Sequence, residues 1–127
     1  MGFKNFEEII AWQKAQDLAV EIYYEFNNLK DFGFKDQICR AVVSISSNIA
    51  EGFDRSTDKE FKTYLHYSRG SCAEVKSLLK LAPRLKLCSP EKADTLGLKA
   101  EEIGKILGGL IIHYQNKIKT NNPKKAN

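Results

Sequence analysis

Apolar residues recur at three- and four-residue intervals in four separate segments, the spacing that makes one face of a helix. From about Phe6 to Leu29 the stripe is Ile9, Trp12, Ala15, Ala19, Ile22, Phe26 and Leu29. Asn5 is the candidate N-cap there, and Glu7-Glu8 sit in the first turn, where the helix dipole favours acids. Asp31-Phe32-Gly33 should break the pattern. A second stripe, Ile38, Ala41, Val42, Ile45 and Ile49, spans about Lys35 to Phe53 and closes at Gly52 and Asp54-Arg55-Ser56-Thr57. The third segment opens on Ser56 or Thr57 with Glu60 behind it, a capping box. It carries Phe61, Tyr64, Leu65, Ser68, Cys72, Val75, Leu79 and Ala82 until Pro83 kinks or shortens it. Ser89-Pro90-Glu91 starts the fourth, whose core face is Ile103, Ile106, Leu107, Leu110, Tyr114 and Ile118. Leu98, Ile111 and Ile112 add apolar surface off that face. No segment alternates with period two, so the expected fold is all-α, an antiparallel up-and-down four-helix bundle. One domain over residues 1–119 and a polar, Lys-containing flexible tail over 120–127 are expected.

At 127 residues, 43% hydrophobic and 28% charged, the chain suits one domain with its own core. Cys39, Cys72 and Cys88 are odd in number and form no C-x-x-C, against a disulfide framework or zinc site. No apolar run approaches a membrane span and the N-terminus lacks a signal-peptide core, so a cytoplasmic protein without membrane contact is expected. Charge changes the picture more. Residues 1–60 hold seven Lys/Arg against eleven Asp/Glu, whereas residues 61–127 hold thirteen against five. That dipole suits an anionic partner or head-to-tail self-association.

Catalytic constellations fail on spacing. A di-iron bundle needs Glu-x-x-His, but Thr63 and Leu110 stand three before His66 and His113. Neither His follows an Arg within the one and a half turns that small helical ribonucleases use, and no phosphate-binding glycine loop occurs. Gly70-Ser71-Cys72 follows no strand and is no nucleophile elbow. No catalytic residue, cofactor or metal is expected, and the chain reads as a non-enzyme.

Two polar patterns remain. Gln37, Arg40, Ser44, Ser47, Asn48, Glu51 and Arg55 share one side of the second helix. Small hydroxyls and Asn are poor mid-helix choices, so a hydrogen-bonded contact with the third helix or another subunit is expected, with Glu51 pairing Arg55, Arg40 or both. Gly104 and Gly108, one turn apart on the fourth helix, suit close backbone approach. On the third helix Lys62, His66, Arg69, Ala73, Lys76, Lys80 and Arg84 fall on one line about 33 Å long, expected roughly opposite the apolar stripe. Only Asp58 shares that line among the helix's acids. An acid-free line favours an anionic partner, so Lys62, Arg69, Lys76, Lys80 and Arg84 are the candidate nucleic-acid contacts.

Four stretches are distinctive: Phe6-Glu7-Glu8-Ile9-Ile10-Ala11-Trp12-Gln13-Lys14-Ala15, Gln37 to Ile45, Asn48-Ile49-Ala50-Glu51-Gly52-Phe53-Asp54-Arg55, and Gly70-Ser71-Cys72-Ala73-Glu74. They resemble the bacterial four-helix-bundle family encoded in intervening sequences of 23S ribosomal RNA genes, over about residues 3–118. The chain is also similar to accessory proteins of diversity-generating retroelements, basic bundles that bind nucleic acid. The resemblance implies a ring-shaped homopentamer and no established enzymology. Pro83 and Cys39 depart from the family pattern, the latter standing where a second basic residue often accompanies Arg40. The expected function is a non-enzymatic homo-oligomer that binds RNA or DNA through the third helix. The alternative is an oligomeric scaffold for a protein partner with no nucleic-acid role.

Overall fold

The computed structural model describes residues 2–121. Its elements are a 3-10 turn at Phe6–Glu8 and helices α1 (Ile10–Phe26), α2 (Phe32–Phe53), α3 (Asp58–Arg84) and α4 (Pro90–Thr120). α1 packs on α2 and α4, and α3 packs on α2 and α4, while the backbones of the diagonal pairs stay apart. This is the expected four-helix bundle, closed around one core.

Local chemistry explains where the helices start. The first segment is not continuous from Phe6, because Ile9 is extended at ψ 117. That break buries Ile9 to 1% exposure, and the Gln13 amide donates to the Glu7 carbonyl at 2.7 Å. The Phe6 and Trp12 rings meet at a tilt of 57° with centroids 5.2 Å apart. Asn5 makes no side-chain cap. α1 ends at Phe26, short of Leu29, and the Lys35 ammonium binds the Asn27 carbonyl at 2.9 Å.

Asp31-Phe32-Gly33 starts α2 instead of only ending α1: the Asp31 carboxylate accepts from the Phe34 N–H at 3.1 Å. Thr57 caps α3 through the Glu60 N–H, and Ser89 caps α4 through the Lys92 N–H, both at 3.1 Å. Pro83 lies inside α3, which ends one residue later at Arg84. The helix stops where Lys86 turns left-handed at φ 60. Leu87 N–H then reaches the Ala82 carbonyl at 2.9 Å, and Lys86 N–H reaches that of Pro83 at 3.0 Å. These two bonds are a Schellman stop that satisfies the last carbonyls.

All five residues of the α2 stripe are buried. Ala11, Leu18, Leu78, Leu96 and Ala100 join the core although their stripes omitted them. Ile111, expected off the core face, is 7% exposed and belongs to it, whereas Leu98 and Ile112 are exposed. α4 is flanked by both α1 and α3, so its apolar face is wider than one stripe. α4 runs through Thr120 with Asn121 as its C-cap, and residues 122–127 of the expected tail lie outside the described residues.

Candidate nucleic-acid interface

The basic line of α3 lies along α4 and does not point directly away from the core. The Lys62 ammonium donates to the Gln115 side chain, and Lys76 meets Glu101 at 3.4 Å. An Arg69 guanidinium nitrogen lies 3.7 Å from where a Gly108 Cβ would be. Asp58, at the head of the line, pairs with Lys117 of α4 at 3.4 Å. Arg69, Lys80 and Arg84 form no ion pair among the described residues.

Two hollows follow one another down this α3–α4 groove. The first, ≈400 Å³, is bordered by Arg69, Ala73, Lys76, Gly104, Lys105 and Gly108. The second, ≈590 Å³, includes Lys76, Lys80, Asp94, Gly97 and Glu101. The groove is therefore not free of acids, as α3 alone suggested. Asp94 and Glu101 enter from α4, and Glu101 offsets the charge of Lys76. Lys105 joins the cations, also from α4. Periodicity within one helix cannot find residues that a neighbouring helix supplies.

Gly104 and Gly108 sit against α3 at ordinary contact distance; a Cβ on Gly104 would lie 3.8 Å from Cys72 Cβ. Their effect is to keep the groove open above Cys72. Burial pushes the Cys72 thiol up from 9.0 to about 12. The thiol is thus neutral at physiological pH and unsuited to nucleophilic chemistry. The folded state favours the protonated form, so the stability linked to Cys72 is complete below about pH 9 and is lost as the pH climbs toward about 12. Stability from urea unfolding should fall by about 2–3 kcal/mol more in the parent than in Cys72→Ala between about pH 8 and pH 11. Parallel pH profiles for the two proteins would refute the assignment. Cys39 and Cys88 are likewise raised, chiefly by desolvation, and all three cysteines are free.

The α2 stripe divides. Ser44 donates to Ser71 of α3 at 2.6 Å, and the Asn48 amide donates to the Ser44 carbonyl at 2.8 Å. Beneath them fully buried Ser68 donates to the Ile45 carbonyl at 2.7 Å. The small hydroxyls therefore face the α2–α3 contact. Ser47 is exposed, and Arg40 pairs with Asp36 at 2.8 Å in place of Glu51. Arg55 does meet Glu51, at 3.2 Å, and lies 4.8 Å over the Tyr64 ring while donating to its hydroxyl. With side chains 41% and 55% exposed, the Arg55–Glu51 pair belongs to the surface class worth about 0–1 kcal/mol. This cluster ties the end of α2 and the turn after it to the first turns of α3. Tyr64 is its organising ring, and its role was hidden behind an apolar-stripe assignment.

His66 is exposed, and the His113 ring lies edge-on to Tyr114 at 5.0 Å. Among the described residues no three His, Cys, Asp or Glu side chains cluster to hold a metal, and no helix is long and apolar enough to cross a membrane.

Residues 7–109 match the family model of the 23S rRNA-intervening sequence protein. A crystal structure from Bacteroides thetaiotaomicron, described as a protein of unknown function from the S23 ribosomal protein family, is similar in fold with a TM-score of 0.75. It is 26% identical and the match covers 80% of this chain and 98% of that one. No curated protein matches the chain.

Proposed function

This chain belongs to the 23S rRNA-intervening sequence protein family, and from that premise we propose that it is a non-catalytic, cytoplasmic homo-oligomer that binds nucleic acid along its α3–α4 groove. A pentameric ring is the assembly the family resemblance favours. The observation that carries the binding half is the cation line itself. Lys62, Arg69, Lys76, Lys80 and Arg84 follow one flank of a single helix for about 33 Å, with Lys105 across the groove. Flexible ammonium and guanidinium groups at one- and two-turn intervals suit phosphates, contacts that position a nucleic acid without reading its sequence. Repetition around an oligomer would multiply these contacts and give steep salt dependence with little sequence preference.

The test uses the three cations of the line that have neither an ion pair nor a side-chain hydrogen bond among the described residues, so that the Lys76–Glu101 and Lys62–Gln115 contacts survive. In Arg69→Glu/Lys80→Glu/Arg84→Glu, the slope of log affinity against log salt for duplex RNA should flatten by about 3, one unit per lost phosphate contact. Extending the reversals to Lys62 and Lys76 should abolish the remaining low-salt binding. A folded triple variant that binds like the parent at every salt concentration would instead favour the protein-partner scaffold.

A further inference from the structure

Where α2 gives way to α3, the bundle holds a hollow of ≈210 Å³ that shares no residue with the two hollows of the α3–α4 groove. Phe3, Phe53 and Phe61 form its apolar wall, the last two with ring centroids 5.9 Å apart. Its polar lining is the turn Arg55-Ser56-Thr57-Asp58 together with Tyr114 and Lys117 of α4.

Tyr114 is the member that packing alone does not explain. It is 4% exposed and its ring is held edge-on to Phe61 at 4.8 Å, yet its hydroxyl makes no hydrogen bond among the described residues. A buried Tyr normally finds a partner for its O–H. The oxygen is not sealed in the core: the enclosed side-chain polar atom without a partner is His113 Nε2, so the Tyr114 hydroxyl opens on the hollow that the residue lines. Burial, and after it the charge of Asp58, raises the phenol above its ordinary 10.0, which keeps it a neutral donor at physiological pH.

Other donors converge on the same space. Thr57 caps α3 by accepting from the Glu60 N–H, while the N–H groups of Ser56, Thr57 and Asp58 have no acceptor among the described residues. The dipole of the 27-residue α3 adds positive potential at that end. The Lys117 ammonium lies 5.4 Å from the Tyr114 ring centroid and 3.4 Å from Asp58 Oδ2, so the carboxylate in the lining has its charge offset. Arg55 binds Glu51 at 3.2 Å through one terminal nitrogen, and the other reaches Glu60 only at 4.0 Å. Apart from the second Asp58 oxygen, the unused groups are donors, a set that matches an anion with several acceptor oxygens.

We propose that this hollow binds the phosphate group of a phosphate monoester. The Tyr114 hydroxyl, the Lys117 ammonium and the N–H groups at the start of α3 take the phosphate oxygens, and Phe3, Phe53 and Phe61 take the ester substituent. The site is independent of nucleic-acid binding in the α3–α4 groove, because a small phosphate by itself reads it.

Phenyl phosphate titrated calorimetrically into the full-length chain should show saturable binding at one site per chain. Tyr114→Phe removes only the hydroxyl and keeps the ring on Phe61. It should melt no lower than the parent, because the lost group has no partner, yet bind at least about tenfold more weakly. Lys117→Gln should weaken binding too. Asp58→Asn removes the one opposing charge and should tighten it. An RNA with a 5′-phosphate is then compared with the same RNA ending in a 5′-hydroxyl. A 5′-phosphate advantage that Tyr114→Phe erases supports the site with a nucleic-acid end as its source. Equal binding of the two RNAs beside saturable phenyl phosphate binding supports it with a free monoester as the source. A parent that does not bind phenyl phosphate, a folded Tyr114→Phe protein of unchanged affinity, or an Asp58→Asn protein that binds more weakly would each overturn the proposal.

Discussion

Gly52→Ala should lower the stability of the fold by about 2 kcal/mol, and the melting temperature by roughly 5–10 °C. A Cβ at Gly52 would overlap Cβ of Tyr64 and approach Phe61 Cδ1 to 3.1 Å. Neither neighbour can swing aside cheaply. Tyr64 Cβ is fixed to the α3 backbone, and Phe61 is 6% exposed, with its ring 4.8 Å from that of Tyr114. The helix-propensity gain of replacing Gly inside a helix, about 1 kcal/mol, works in the opposite direction but is outweighed by overpacking of about 1–3 kcal/mol or more. The same substitution at Gly70 or Gly109, where nothing lies within 4 Å, provides the control and should stabilise by up to about 1 kcal/mol. Thermal melts of the three variants separate the two effects. A Gly52→Ala protein as stable as the parent would mean that α2 and α3 do not approach as closely as described.

Phe26→Ala should cost about 3–5 kcal/mol, a large part of the 5–15 kcal/mol typical of a single domain. Phe26 is 1% exposed and packs against the Phe34 ring with centroids 5.5 Å apart. It lies at the end of α1, and Phe34 lies in the first turn of α2, so the pair closes the corner that Asp31 caps. The cavity cannot collapse easily because both backbones are held there, by the Asp31 cap and the Lys35–Asn27 contact. The urea midpoint should fall with little change in slope, the signature of lost packing in an otherwise intact native state. A shift corresponding to less than about 1 kcal/mol would place Phe26 outside the core.

Some of this architecture is legible one helix at a time. Ser89-Pro90-Glu91 and Thr57 with Glu60 announce two helix starts, because a cap is satisfied by residues within the same turn. The α2 stripe reads cleanly because all five of its residues, Ile38, Ala41, Val42, Ile45 and Ile49, share one helix face and that face is buried. The first helix reads less well. Continuous apolar spacing from Phe6 onward conceals the extended Ile9, which is set by burial against the bundle and by the Gln13–Glu7 bond. Asp31 shows the converse ambiguity: Asp-Phe-Gly is a turn signal as much as a cap, and only the direction of its carboxylate decides.

The sequence by itself determined the helical class, four segments, the family signature and the five-cation line on α3, because each is a property of spacing along one element. Tertiary structure alone decided what that line borders. Asp94, Glu101 and Lys105 reach the groove from α4, more than twenty residues away from Arg69 in the chain. It also decided that Ser44 meets Ser71, that Gly52 must lack a side chain, and that Ile111 is core. The physical reason is the same in each case. Helical periodicity states which residues share a face, while the distance between two faces, and the charges they bring to a common groove, arise only when helices pack.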